Sequence, residues 1–382
     1  MTHSRRMLLG AGAIAATAAL ALTGCSGGTA PAETPAEGEL IPVTLQLQWV
    51  AQAQFAGYYA ALAEGYYEDE GLDVTIQEAG TDTVPIDVLA AGDADFAISW
   101  VPKVLGSIEQ GTDVTDIAQI FERSATTQIS FVDKGITTPA DLAGKTVGSW
   151  GYGNEWELFA GMQQAGIDTS SDITLVQQAF DMNGFLAGDI DAAQAMTYNE
   201  YAQVLETVNP ATGELYQPED LNVINWNDVG TAMLQDAIWA DTARLADDPQ
   251  YADVAEKFVK ASIKGWVFAR DNPEEAAQIV TDAGSTLGQS HQLWMTNEVN
   301  KLIWPSTNGI GMVDADAWAQ TVDIALNTKN DTGSTIITTD PPDTAYSNDY
   351  VEQAIAELEA EGVDVMGTGF TPITVTLKEG GE

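Results

Sequence analysis

Residues 43 to 49, VTLQLQW, alternate apolar and polar side chains, the period-two pattern of a strand with one face buried. AGYYAALAEGYYEDEG follows with helical spacing and stops at Gly71, after which LDVTIQEAG reads as a second strand. Two strands joined through a helix pair in parallel, because only a crossover connection returns the chain in the same direction. TVPIDVLAAGDADFAISW extends the scheme with a helix from Pro85, closed by Gly92, and an apolar strand ending at Trp100.

The same signals recur about a hundred residues later. LAAGDADFA (89–97) and FLAGDIDAA (185–193) each place a helix-ending glycine, then Asp-x-Asp, then an apolar strand. Both copies sit at the same point of a β-α-β series, which predicts an α/β chain with two similar lobes. The second lobe starts near TTQISF. Thr138, Pro139 and Asp141 open a short helix there, KTVGSW is a strand, and Gly151 to Gly153 form a loop before another helix. The chain returns to the first lobe around INWNDVGTAMLQDAIWA, and helical patterns then dominate. Lobe 1 is thus expected over 41–125 and 229–330, lobe 2 over 126–228, and a C-terminal extension over 331–382 packing on lobe 1.

The first forty residues have a different character. MTHSRRMLLGAGAIAATAALALTGCSGG joins Arg5 and Arg6 to a small-residue apolar run, the pattern of an export signal over residues 1–24. Its ending predicts a lipoprotein with the lipid on Cys25. The paired arginines leave both the general and the twin-arginine export routes open. Residues 25–40 are small, acidic and proline-containing, a flexible tether. No later stretch reaches about 18 apolar residues. The folded part is therefore expected on the extracytoplasmic face of the cell membrane, held by its lipid alone.

Composition narrows the partners. The chain has 57 acidic and 14 basic residues and a formal net charge of −43, and the two leader arginines make the folded part more acidic still. Such a surface disfavours nucleic acid and anionic membranes. With one cysteine there is no intrachain disulfide, so a core must supply stability, and a 45% hydrophobic content over this length suits two domains.

Trp49, Trp100 and Trp150 all fall at predicted strand ends, the last leading into Gly151-Tyr152-Gly153-Asn154. In open α/β sheets the ligand crevice lies beyond the carboxyl ends of the strands, and indole and phenol rings there suit the stacking of a planar ring. Tyr198, Asn199 and Glu200 follow a strand of the second lobe directly; a carboxylate beside amide and phenol groups accepts hydrogen bonds from an aminopyrimidine-like edge. Each tryptophan alone also fits a core plug, and Glu200 also fits a solvated acid or helix cap. The glycine-rich loop holding Tyr152 and Asn154 could offer backbone N–H groups to an anion or carbonyl. The only histidines are His3 and His291, which with the lone cysteine excludes thiol nucleophiles and multi-His or Cys-type metal sites. No metal, cofactor or catalytic residue is predicted. Asp93 with Asp95, and Asp189 with Asp191, read as turn residues.

LQWVAQAQFAGYYAALAEGYYEDEGLDVTI, LAAGDADFAIS, TPADLAGKTVG, GDIDAAQAMTYNE and RDNPEEA together resemble the SsuA/THI5-like (NMT1) branch of the type II periplasmic binding proteins, over roughly residues 43–330. The resemblance implies a two-lobed Venus-flytrap solute receptor, monomeric, that closes on a small ligand and docks on the permease and ATPase of an ABC importer. It is most like the members that bind thiamine-precursor pyrimidines. On that likeness Trp49 would stack on the ring, Tyr58 would lie on the same wall, and Glu200 would contact the pyrimidine edge; Gln54 is a further ligand-binding candidate. Riboflavin receptors of this branch would use the same aromatics, and nitrate, sulfonate and taurine receptors share the fold. The pyrimidine-synthase members carry a histidine six residues after that Trp, where Phe55 stands here, and a Cys-rich motif that is missing. The resemblance therefore points to a receptor and away from an enzyme.

Overall fold

The computed structural model describes residues 39–382; the expected signal, Cys25 and nearly all of the tether lie outside the described residues. Ile41–Gln46 (β1) runs parallel to Leu72–Gln77 (β2), with Thr44 opposite Thr75. Phe96–Trp100 (β3) pairs in parallel with the other edge of β1 and is buried along its whole length, as its unbroken apolar run requires. Val114–Gln119 (β4) joins only through Asp236–Asp241 (β10), which lies antiparallel between β3 and β4. The order is β2-β1-β3-β10-β4.

The second lobe repeats that plan. Thr126–Phe131 (β5) lies antiparallel between Ala193–Met196 (β8) and Leu221–Asn225 (β9), while Thr146–Ser149 (β6) runs parallel to Thr174–Gln177 (β7). A parallel bridge between Val147 and Ala192 joins β6 to β8, which gives β7-β6-β8-β5-β9. In each sheet the antiparallel strand arrives from the other: β5 follows β4, and β10 follows β9.

The two crossing segments are laced together. Ser124 N–H donates to Asn227 Oδ1 at 3.1 Å and Asn227 Nδ2 returns a bond to Ser124 O at 2.7 Å. Ala125 N–H donates to Gln235 Oε1 at 2.9 Å. Glu157, buried in the helix Trp156–Gln164, accepts from Ser124 Oγ at 2.8 Å and from Met233 N at 2.7 Å, and burial pushes its carboxyl up to about 8. One buried carboxyl therefore holds both strands of the connection.

One detail differs from the sequence expectation. The first long helix is broken at Gly65, whose φ of 74° is left-handed, into Ala56–Ala63 and Tyr66–Asp69. Residues of the C-terminal extension form the helix Asp349–Ala360, which packs on Pro249–Asp271 through Val351, Ala354 and Leu358, and the tail runs on past it. Its last residues have no strand partner and satisfy their N–H groups singly: Ile373 on Asn297 Oδ1, Lys378 on Ser290 Oγ, and Gly380 on Glu206 O in the helix region after β8. Leu377 follows them onto the apolar cluster of Ile129 and Leu205.

Candidate functional site

A cavity of about 1020 Å³ opens where strands of both sheets end. Trp49 stands just past β1, Trp100 closes β3, Trp150 follows β6, and Tyr198 follows β8, so the strand ends bring these aromatics to one cavity. Phe180, from the loop after β7, comes between them. Its ring centroid is 5.0 Å from that of Trp49 and 6.3 Å from that of Trp150, nearly parallel to the latter at 10°. Apolar planes thus line a site interspersed with amide, hydroxyl and charged side chains, a make-up suited to a flat ligand with polar edges.

One buried carboxylate sets the polar side chains of the first lobe. Asp236, the first residue of β10, accepts from Gln48 Nε2 at 2.7 Å, from Trp100 Nε1 at 2.7 Å and from Gln54 Nε2 at 2.9 Å. Burial raises it to about 6, while those three bonds and the nearby charge of Lys103 hold it lower than burial alone would. Gln54 in turn accepts from Gln52 Nε2 at 2.7 Å. A network satisfied at each of these bonds fixes rotamers, so the cleft wall is preformed.

Glu200 supplies the second lobe's acceptor. It opens the helix Glu200–Leu205 and is 4% exposed. Met196 N–H donates to its Oε2 and Asn199 Nδ2 to its Oε1, each at 3.0 Å. Burial pushes its carboxyl up to about 7, opposed by the Met196 N–H and by His291. His291 comes from the other lobe, on Gln289–Ile303. Its Nδ1 lies 2.9 Å from Glu206 Oε1 and its Nε2 lies 3.1 Å from Asn199 Oδ1. The imidazole is therefore tied up in a contact between lobes.

Eight of the nine residues anticipated from sequence line this cavity: Trp49, Gln54, Trp100, Tyr152, Asn154, Tyr198, Asn199 and Glu200. Tyr58 does not. It lies on a helix whose residues Ala56 to Ala61 are all buried, and its ring meets Trp266 edge-on at 5.5 Å inside the lobe-1 core. Tyr152 is the most solvent-exposed of the set, 77% exposed with a left-handed φ of 55° at the lip of the cleft. Asn154 turns its amide to Gly151 O, at 2.6 Å.

Sequence reasoning missed Phe180, Asp236, Gln48 and Lys103. Phe180 sits in a loop with no periodic pattern, and Asp236 is one acid among many. Lys103 did carry a signal, being the sole basic residue between Arg6 and Arg123. It lines the cavity with its ammonium 4.8 Å from the Trp100 ring centroid, and burial lowers it to about 8 against the opposing charges of Asp236 and Glu155. Among the described residues no group of three or more His, Cys, Asp and Glu side chains could hold a metal ion, and no helix is long and apolar enough to cross a membrane.

The NMT1/THI5-like family matches residues 52–276 of the chain. A formylaminopyrimidine-binding protein of Halalkalibacterium halodurans is 25% identical over 265 residues, covering 69% of this chain and 76% of its own. The riboflavin-binding protein RibY of Chloroflexus aurantiacus is 26% identical over 334 residues, 79% of this chain and 88% of that protein. A 4-amino-5-hydroxymethyl-2-methylpyrimidine phosphate synthase of Aspergillus parasiticus is 22% identical over 252 residues, 64% of this chain and 72% of the enzyme. Among solved structures, the periplasmic aliphatic sulphonate binding protein SsuA of Escherichia coli superposes with a TM-score of 0.56 at 15% identity, over 88% of this chain and 94% of that one.

Proposed function

The chain belongs to the NMT1/THI5-like family, with the two-lobed type II periplasmic-binding-protein fold, and from that premise we propose that it is an extracytoplasmic solute-binding protein of an ABC importer. It is held to the membrane by a lipid on Cys25 and captures a flat nitrogen heterocycle, a thiamine-precursor pyrimidine in the first instance. The lobes divide as 41–125 with 229–330 against 126–228, a division supported by the strands each sheet contains.

The observation that carries this reading is one cleft with aromatic planes from both sheets and the buried acceptor Glu200 at the same opening. Stacking fixes the plane of a ring; a carboxylate with two of its lone pairs still open takes an amino or ring N–H donor. The connection laced by Asn227, Gln235 and Glu157 gives closure a defined axis. A synthase would need a reacting group in the cleft, and the imidazole of His291 is instead engaged by Glu206 and Asn199.

The cavity favours a second reading. At about 1020 Å³ it lies at the upper end of the range for drug-sized ligands, far more than one pyrimidine fills. A riboflavin-sized tricycle uses that space better. Calorimetric titration with a formylaminopyrimidine, riboflavin and an alkanesulfonate tests both. One heterocycle should bind with one-to-one stoichiometry and the sulfonate should not; sulfonate binding without heterocycle binding would overturn the proposal.

A further inference from the structure

The repeat that builds the two lobes puts two corners face to face. Eight residues past Asp95 the first lobe has Lys103, and eight past Asp191 the second has Asn199, followed by Glu200. All three line the cavity at the start of the helix that leaves a strand end. One corner carries a cation and the other a carboxylate.

Lys103 is singular in its surroundings. It forms no ion pair with a carboxylate and is the only Lys or Arg among the described residues that line the cavity. Its stem is held between lobes: a Cβ built on Gly153 would sit 3.4 Å from Lys103 Cγ, so the Gly151–Gly153 loop lies directly over it. Its charge is balanced only at a distance, by Asp236 and by Glu155, whose Oε2 accepts from Gly153 N at 3.0 Å. An ammonium with open donors, half-buried at the cleft, is placed to take an acceptor from a ligand.

We propose that Lys103 is a second polar anchor of the cleft: it binds an oxygen acceptor of the heterocycle, a ring carbonyl, amide or single carboxylate, while Glu200 takes the donor edge, and it rejects phosphate monoesters of the same rings. This rests on the heterocycle reading above. The rejection follows from charge. A phosphate monoester brings about −1.5 to −2 charges at pH 7, and it would meet one ammonium flanked by the carboxyl groups of Asp236 and Glu155. A neutral acceptor avoids that repulsion and a singly charged one lessens it. The receptor then selects the dephosphorylated compound.

The test uses the full chain and paired probes: a formylaminopyrimidine against 4-amino-2-methylpyrimidine, which has no oxygen, and riboflavin or a hydroxymethylpyrimidine against its phosphate. Each is titrated into wild type, Lys103→Met and Lys103→Arg, with thermal midpoints as folding controls. Whichever ring the protein takes, Lys103→Met should weaken the oxygen-bearing probe at least tenfold and the oxygen-free one less than twofold. Lys103→Arg should restore most of the loss. Wild type should bind each phosphate at least tenfold more weakly than its parent. Because the lysine loses its proton as pH rises through about 8, wild-type affinity for the oxygen-bearing probe should fall between pH 7 and 9 relative to that of Lys103→Arg. Asp236, Glu155 and Glu200, the carboxyl groups near Lys103 or in its cleft, are common to both proteins and cancel in the ratio of their affinities. Equal weakening of both probes by Lys103→Met, or a phosphate bound as tightly as its parent, overturns this inference alone. Failure of every heterocycle to bind wild type overturns the proposed function and this inference with it.

Discussion

The lobes are alike where their strands are tied and unlike where they face the cleft. Asp95 donates its N–H to Thr44 O at 2.9 Å and accepts from Thr44 N at 2.9 Å; Asp191 does the same with Thr146, at 2.9 and 3.0 Å. Each carboxylate also meets a cation three residues past the antiparallel strand, Arg244 at 3.1 Å and Lys134 at 2.7 Å. The glycine before each pair is left-handed, with φ of 78° at Gly92 and 81° at Gly188. Five and eight residues beyond each aspartate, however, Trp100 and Lys103 stand against Met196 and Asn199. The duplicated part is the clasp that places a strand; the ligand chemistry lies in what each copy changed.

The largest expected effect concerns a second matched pair, Gly57 and Gly161, each on the first long helix of its lobe. A Cβ on Gly57 would come within 2.1 Å of Trp266 Cδ2, and one on Gly161 within 2.5 Å of Trp226 Cζ3. Gly57 is also the tighter crossing, since a Cβ on Gly265 would lie 1.9 Å from its carbonyl oxygen. Overpacking of this kind costs about 1–3 kcal/mol and sometimes more. Gly57→Ala should lose about 3 kcal/mol or more in urea unfolding and Gly161→Ala less. Equal losses would show that the helix crossing in lobe 1 relaxes as easily as the one in lobe 2.

Next in size is the clasp itself. Removing a carboxylate that accepts a backbone N–H costs about 1–3 kcal/mol, because the donor is left without its partner. Asp95→Ala and Asp191→Ala should therefore destabilise by similar amounts. Most of each loss should survive high salt, since the cations are 40% and 34% exposed and their part is screened. A twofold difference between the variants would break the equivalence of the two clasps.

The turn that carries the clasp was legible in the sequence because it is local: a glycine, an Asp-x-Asp and an apolar run; the partners of its aspartates, Thr44 with Arg244 and Thr146 with Lys134, lie 45 to 149 positions away and were not. Strand ends were legible for the same reason, and with them Trp49, Trp100, Trp150 and Glu200 at the cleft. Phe180 and Asp236 were not, because their role arises from contacts between segments far apart, as with Asp236 and Gln48, separated by 188 positions. The reach of the tail to Glu206 likewise has no periodic signal, being made of single N–H bonds. Tyr58 was misplaced for a different reason. Residues 56–61 are apolar or small on every side, so nothing in the pattern distinguishes the face that meets Trp266 from the one nearer the cleft.

The smallest effect separates two aromatics that the sequence places on one wall. Trp49 is half-buried at the end of β1 with Phe180 across from it, whereas Tyr58 is 1% exposed behind the helix, against Trp266. A ring lost from a stacking wall removes about 0.5–1.5 kcal/mol beyond its contact area, which is roughly two- to tenfold in affinity. Trp49→Ala should therefore weaken whichever heterocycle the wild type binds by at least that factor, and a planar ligand of another kind by a similar one. Tyr58→Phe keeps the ring and its edge-on contact with Trp266 and removes only the hydroxyl of a residue that does not line the cavity. Its affinity, measured by the same calorimetric titration, should stay within twofold of wild type even if its stability shifts. A loss on Tyr58→Phe comparable to that on Trp49→Ala would return Tyr58 to the binding wall, and would mean that closure on the ligand turns that helix toward the cleft.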